Sequence, residues 1–87
     1  GAVMVCPDGI FRAIVPRIDA VNTVGCGDSM IAGFALGISE GLSFVDTLKK
    51  ASAISAAAAM TEETGWFRLE DLNNLLSKIK VEKLTNY

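Results

Sequence analysis

The sequence predicts an α/β fold, and three patterns along its 87 residues indicate it. Near the start, two apolar runs rich in β-branched residues flank a Pro-Asp-Gly turn, which is typical of a β-hairpin. In the middle of the chain, apolar and small residues recur at helical spacing. Near the end, an amphipathic segment precedes a short run that suits a last strand. A chain of this length holds one domain at most.

The predicted hairpin pairs residues 2–6 with residues 10–15. Each run stops at a proline, and Pro7, Asp8 and Gly9 form the turn between them. Proline presets the backbone angle that opens such a turn, and glycine adopts conformations that other residues avoid. The residues that follow, 17–24, form a connector without helical periodicity.

A first helix is predicted in the segment that the glycine-rich residues 25–28 open. Its apolar positions lie at helical spacing: Met30, Ile31, Phe34, Ala35 and Ile38. No charged residue stands between positions 29 and 39, so we expect this helix to be buried on all sides. Gly33 and Gly37 would let another backbone approach closely, and Gly41 would end the helix.

A second helix is predicted from a capping pattern. Ser43 supplies a hydroxyl at the N-cap, and Asp46 supplies a carboxylate three residues later. The helix would run to about Met60. Because residues 51–59 have small side chains nearly all round, we expect a neighbouring element to pack closely against them.

The last part of the chain is predicted to form an amphipathic helix and a strand. Five apolar residues mark the buried stripe of the helix: Leu69, Leu72, Leu75, Leu76 and Ile79. Residues 81–84 suit a short last strand.

Composition and charge exclude several classes of function. The net charge is -2 and no basic run occurs, so the chain lacks the positive surface by which proteins bind nucleic acid. No apolar stretch approaches the ~20 residues that a membrane span needs. The start shows no signal peptide, and the two cysteines considered next predict a cytoplasmic protein. The chain begins without methionine inside an apolar run, which indicates a piece of a longer protein.

The cysteines predict neither a metal site nor a disulfide framework. Cys6 and Cys26 are the only two, and the chain has no histidine. A structural zinc site uses four ligands of these two types. We therefore expect two reduced thiols.

Residues 25–28, Gly-Cys-Gly-Asp, carry the strongest chemical signal. They stand where a connector becomes a helix, so the backbone N–H groups of the first turn lack helical partners and the helix dipole adds positive charge. Glycines let several of these groups converge on one anion, and phosphate is the natural ligand. Asp28 would repel that ligand unless it takes a proton from a hydroxyl that attacks the phosphate.

By itself this pattern also fits an ordinary turn in which Asp28 favours the start of a helix. Two other phosphate-binding loops are excluded. The dinucleotide fingerprint needs glycine where Met30 stands, and the P-loop needs a Gly-Lys-Ser/Thr sequence that this chain lacks.

Residues 22–34, Asn-Thr-Val-Gly-Cys-Gly-Asp-Ser-Met-Ile-Ala-Gly-Phe, resemble the second signature of the PfkB, or ribokinase-like, carbohydrate kinases. The order of elements also resembles the C-terminal third of that family. The resemblance implies that residues 1–87 are the C-terminal part of a PfkB-type kinase domain with a three-layer α/β/α fold, without its N-terminal sugar-binding part and lid. Asn22 and the end of the chain resemble the subgroup of 1-phosphofructokinases and tagatose-6-phosphate kinases.

The resemblance implies a role for each residue of the loop. Asp28 matches the family's general base, and Gly25, Cys26 and Gly27 match the anion hole that binds the phosphate of ATP. The implied reaction moves a phosphoryl group from ATP to a hydroxyl of a sugar phosphate such as fructose 1-phosphate or tagatose 6-phosphate.

The family also binds adenine against the end of the second helix, which implies nucleotide contacts for Ala56, Met60 and Thr61. Its Mg²⁺ is placed by an upstream Asn-x-x-Glu motif that this chain lacks, so no metal ligand is expected here. We expect the chain alone to be inactive. We also expect it either to self-associate as a homo-oligomer or to be only marginally stable, since the faces of residues 29–39 and 51–59 would lack their packing partners.

Two other functions stay open on the sequence alone. The chain could be a stand-alone module that binds a nucleotide or phosphate without catalysis. It could also be a structural or interaction domain in which the glycine-rich loop is only a turn. A test of nucleotide binding would distinguish the structural domain from the kinase fragment and the binding module. The sequence upstream would distinguish the kinase fragment from the binding module.

Overall fold

Strands and helices occur in the order that the sequence predicts. The structure is a computed structural model and describes residues 2–18, 21, 26–61 and 68–85. Its elements, numbered in chain order, are β1 (Ala2–Cys6), β2 (Gly9–Ile14), α1 (Cys26–Ser39), α2 (Phe44–Ala59), α3 (Leu69–Lys78) and β3 (Lys80–Thr85). The α/β class predicted from the sequence is confirmed.

The three strands form one antiparallel sheet with β2 in the middle. At the hairpin turn Gly9 has a positive φ of 135°, a conformation that residues with a Cβ atom rarely adopt. The last strand, β3, returns to pair with β2, and Ala13 stands opposite Val81. On the edge strand β1, Val3 and Val5 are each 61% exposed.

The core lies between the inner face of the sheet and α2. Phe11 and Ala13 of β2 are buried there, and Leu48 of α2 is fully enclosed. Every residue from 51 to 59 except Ser55 is also buried. The expectation that this alanine-rich face would be left open is therefore wrong, because the sheet and both other helices pack against α2.

The boundary between α1 and α2 follows from local signals. Ser43 Oγ accepts a hydrogen bond from Asp46 N at 3.1 Å and so caps the start of α2. After α1, Gly41 has a positive φ of 74°, and Leu42 N donates to Gly37 O at 3.0 Å. These features form a Schellman ending. Both caps confirm the sequence prediction.

One side of α1 is buried, and the rest is open. Gly33 and Gly37 are its buried residues, whereas Ile31 and Ile38 are 69% and 67% exposed. The expectation of a helix buried on all sides is wrong for this chain, because α2 is the one described element that packs against α1. The outer face of α1 is therefore an exposed apolar surface.

The contact between α1 and α2 is made by small residues. A Cβ atom placed on Gly33 would lie 2.7 Å from Ala51 Cα, and one placed on Gly37 would lie 2.8 Å from Thr47 Cγ2. Non-bonded carbon atoms prefer separations of about 3.5–4.0 Å. The two glycines are therefore required by the close approach of the helices, as the sequence predicts.

Replacing Gly33 with alanine is expected to destabilise the protein by about 1–3 kcal/mol, because the new methyl group would press on the backbone of α2 at Ala51. Chemical denaturation measures this loss. Gly27→Ala on the same helix is the matched control, since no described atom of another element lies within 4 Å of its Cβ position. Alanine has the higher helix propensity, so this control should be at least as stable as the wild type. Equal stabilities of the two variants would contradict the close crossing.

The amphipathic character of α3 directs its apolar stripe toward α2. Leu72 and Leu75 are buried, and so is Ile79 directly after the helix. Leu69, which was predicted to lie on the same stripe, is 66% exposed because it is the first residue of the helix. No helix in the described ranges has the length and apolar character needed to cross a bilayer.

Candidate functional site

The described residues of the glycine-rich loop, 26–28, lie at the start of α1. Cys26, Gly27 and Asp28 form the first turn of the helix, and Gly25 lies outside the described residues. Gly27 and Asp28 are exposed, and Cys26 is partly buried. The backbone N–H groups of a first turn have no helical acceptor, and the helix dipole adds positive charge there. This end of α1 can therefore bind a small anion through backbone groups.

Gly27 is not explained by the packing or the backbone angles of the described residues. Among them, a positive φ occurs at Gly9 and Gly41 and not at Gly27. Apart from its chain neighbours and the backbone of its own helical turn, no described atom lies within 4 Å of a Cβ placed on Gly27, in contrast with Gly33. With respect to the described residues, glycine here leaves open space over the first turn of the helix. A ligand that contacts the backbone amides requires such space.

Asp28 is the third residue of α1 and is exposed. Neither of the two ion pairs among the described residues involves it. Asp46 holds the same third position in α2, where an acidic residue also interacts favourably with the helix dipole. The position of Asp28 therefore suits both a helix-starting residue and a carboxylate that faces a bound phosphate.

A hydrogen bond ties the first turn of α1 to α2. Ser55 Oγ donates to Cys26 O at 3.0 Å, and the two residues are 29 positions apart in the sequence. Sequence reasoning missed this contact. Ser52 and Ser55 stand in the same alanine-rich run, and their spacing alone does not say which of them faces the start of α1.

The residues expected to contact a nucleotide lie just beyond Ser55, at the end of α2. Ala56 is 8% exposed and Thr61 is 5% exposed, and Thr61 Oγ1 donates to Ala58 O at 3.2 Å. Met60 forms the C-cap of α2 and is partly buried. Of the three expected side chains, Met60 therefore offers the most surface. Their contact with adenine stays a prediction.

A cavity of about 210 Å³ opens beside Met60. It lies between the connector after β2 and the helix α3. Ile18 and Leu75 give it apolar walls, while Arg17 and Lys78 bring positive charge. The volume is below the roughly 300–1,000 Å³ of sites for drug-sized ligands, so it suits a small organic group. It provides open space next to one of the expected nucleotide contacts.

Comparison with known families decides what kind of protein carries this loop. Residues 1–69 match the family model described as pfkB family carbohydrate kinase. The chain belongs to the pfkB family. The match covers most of the chain and includes the glycine-rich turn at the start of α1. The resemblance noted in residues 22–34 is therefore confirmed.

Relatives in this family carry the names of phosphosugar kinases. The chain is 36% identical to the 1-phosphofructokinase of Bacillus subtilis over 84 residues, which cover 97% of the chain and 27% of that protein. It is 34% identical to the tagatose-6-phosphate kinase of Staphylococcus epidermidis over 71 residues, which cover 82% of the chain and 23% of that protein. The likeness to this subgroup is confirmed. The chain spans about a quarter of the length of these curated relatives.

Solved structures of the family contain the same arrangement of elements. A protein from Staphylococcus aureus assigned as a phosphofructokinase matches with a TM-score of 0.90 and 30% identity, over 100% of the chain and 28% of that protein. Phosphofructokinase-2 from Escherichia coli, solved in complex with potassium, matches with a TM-score of 0.72 and 22% identity over 87% of the chain and 28% of that protein. The predicted ribokinase-like architecture is confirmed.

Proposed function

We propose that this chain is the part of an ATP-dependent sugar-phosphate kinase that holds the γ-phosphate and the catalytic base. The full-length parent transfers the γ-phosphoryl group of ATP to a hydroxyl of fructose 1-phosphate, tagatose 6-phosphate or a similar sugar phosphate. The observation that carries this proposal is the open first turn of α1, where Gly27 leaves the backbone bare and Asp28 follows it. Membership of the pfkB family supports the reaction class.

The backbone N–H groups of Gly25, Cys26 and Gly27 form the anion hole. Negative charge on the γ-phosphate meets backbone donors that are held in place before the charge develops, so no reorganisation is needed as the reaction proceeds. The open space over Gly27 supports this role. The backbone carries the interaction, so a cysteine at position 26 serves as well as a smaller residue.

Asp28 acts as the general base. The sugar hydroxyl gives its proton to the carboxylate while the hydroxyl oxygen forms a bond to the γ-phosphorus. The bond between that phosphorus and the oxygen bridging it to the β-phosphate breaks, and ADP leaves. The base must lie within about 3 Å of the hydroxyl, and the anion donors must face the same phosphoryl group. Adjacent positions in one helical turn supply both groups.

Magnesium neutralises charge on the phosphates of ATP in kinases. Within the described ranges, no three Cys, Asp or Glu side chains lie together. The family's Asn-x-x-Glu motif lies upstream of this segment, so we assign the metal to other parts of the parent. Adenine lies against Met60 at the end of α2, close to Ala56 and Thr61, and the cavity beside Met60 supports this placement.

The chain is the C-terminal part of a larger kinase domain in this proposal. It covers 23–28% of the four relatives named above. The apolar outer face of α1 and the edge strand β1 are surfaces that other parts of such a domain would cover. The sugar-binding residues and the lid belong to those parts, so the chain alone does not catalyse transfer.

A steady-state assay of the full-length parent tests the proposed reaction. ADP release should require a sugar phosphate, and fructose and tagatose without phosphate serve as controls. The ratio of kcat/KM for fructose 1-phosphate to that for tagatose 6-phosphate identifies the preferred substrate. Binding of ATP without release of ADP, whatever sugar phosphate is offered, would instead favour a binding module.

The isolated 87-residue chain is expected to self-associate and to show no kinase activity. Ile31 and Ile38 on α1, and Val3 and Val5 on the edge strand, are all more than half exposed. Pairing of two copies would cover these apolar surfaces and the open strand edge. Light scattering coupled to size-exclusion chromatography measures the mass. A stable monomer at high concentration would contradict this expectation and favour a self-sufficient domain.

A further inference from the structure

We infer that Ser55 is a positioning residue that orients the anion hole. This inference rests on the proposed function, because it concerns the same first turn of α1. The observation behind it is the hydrogen bond from Ser55 Oγ to Cys26 O at 3.0 Å, which joins α2 to that turn. Ser55 acts on the backbone of the loop and not on the phosphate, so it is not a catalytic residue.

The hydrogen bond to Cys26 O fixes the direction of the Gly27 N–H group. The carbonyl of Cys26 and the amide of Gly27 belong to one peptide unit, which is planar and trans. The two groups therefore point in opposite directions, so an oxygen that is held toward Ser55 keeps the N–H directed away from α2. Outside the helix's own backbone and the chain neighbours of Gly27, no described atom lies within 4 Å of a Cβ placed on Gly27, which leaves room there for a ligand.

The first turn of α1 needs such an anchor. Gly27 has no side chain to pack, and no described atom of another element lies within 4 Å of where one would begin. Glycine is also the residue with the greatest backbone freedom. An anion hole is effective only when its donors keep their direction before the charge develops. Ser55 supplies that restraint from α2, whose neighbouring residues are buried in the core.

The chain provides a matched control three residues away. Ser52 lies on the same helix and is buried, and its Oγ has no hydrogen-bond partner among the described residues. Ser52→Ala and Ser55→Ala thus remove the same atom from α2, but only the second removes a contact with the loop. Alanine has the highest helix propensity, so both variants should fold.

Steady-state kinetics of the full-length parent provide the first readout. Ser55→Ala should lower kcat by about 3- to 10-fold, as expected for the loss of one net hydrogen bond, while KM for the sugar phosphate stays the same. Ser55→Thr keeps the hydroxyl and should restore kcat to within about twofold. Ser52→Ala should match the wild type. A fall in kcat of the same size in both alanine variants would overturn the inference, because it would report damage to α2 in general.

The Gly27 amide provides a second readout that does not depend on activity. In protein with isotope-labelled glycine, its NMR signal is assigned through Gly27→Ala. This signal should shift in Ser55→Ala and stay in place in Ser52→Ala. An unshifted Gly27 signal together with wild-type kcat in Ser55→Ala would overturn the inference. A wild-type parent without kinase activity would instead overturn the proposed function, and the amide signal would still report whether Ser55 orients the loop.

Discussion

Asp28→Asn in the full-length parent is expected to lower kcat by ~10²–10⁴-fold, the range typical of general bases. Asparagine has nearly the same shape, but it cannot accept the proton of the sugar hydroxyl. The affinity for ATP should stay nearly intact, because the backbone donors of the anion hole are unchanged. Steady-state kinetics and calorimetric titration with ATP measure the two effects separately.

Asp46→Asn is the matched control for this variant. Asp46 is the third residue of α2, just as Asp28 is the third residue of α1, so both carboxylates meet a helix dipole in the same way. A role limited to starting the helix would give both variants a small loss of stability and little loss of kcat. A kcat for Asp28→Asn within about threefold of the wild type would therefore rule out Asp28 as the base.

Gly27→Val is expected to weaken the binding of ATP by about 10- to 100-fold, which corresponds to the loss of a hydrogen bond to a charged group. The branched side chain would occupy the space above the first turn of α1 and keep the phosphate away from the amides. Calorimetric titration with ATP measures the loss. Gly27→Ala adds a smaller group and should give an intermediate effect.

The thermal stability of the Gly27→Val protein serves as the control, because it shows whether the fold is intact. No described atom meets the new Cβ, so the temperature of thermal unfolding should change little. Gly33→Ala should behave in the opposite way. It should lower the stability of the protein and leave its affinity for ATP close to that of the wild type. Unchanged affinity for ATP in a folded Gly27→Val protein would show that the first turn of α1 is not an anion hole.

Elements with local signals could be predicted from the sequence. The Pro7-Asp8-Gly9 sequence predicted the position of the hairpin turn, and Ser43 with Asp46 predicted the start of α2. These features depend on residues that are neighbours in the chain. The first turn of α1 was located in the same way, because a glycine-rich stretch directly before a helical pattern predicts an exposed helix start.

Features that depend on distant contacts could not be predicted. The lack of charge on α1 favoured a fully buried helix, yet Ile31 and Ile38 are exposed, since burial depends on how many elements surround the helix. The pairing of β3 with β2 brings the last strand beside the N-terminal hairpin, a contact between residues far apart in the sequence. The contact of Ser55 with Cys26 depends on how α2 is rotated about its axis relative to α1. Because the alanine-rich surface of α2 is small and uniform, the sequence does not specify this rotation. Open space above Gly27 is likewise visible only in the structure.

The transfer of labelled phosphate in a single turnover tests the central claim most directly. The full-length parent, in excess over ATP labelled at the γ-phosphate, is mixed with fructose 1-phosphate or tagatose 6-phosphate and quenched. We predict that the label moves to a sugar bisphosphate in the wild type and stays on bound ATP in Asp28→Asn. Label that remains on ATP in the wild type with either sugar phosphate, or that appears only as inorganic phosphate, would contradict the assignment of this loop to phosphoryl transfer.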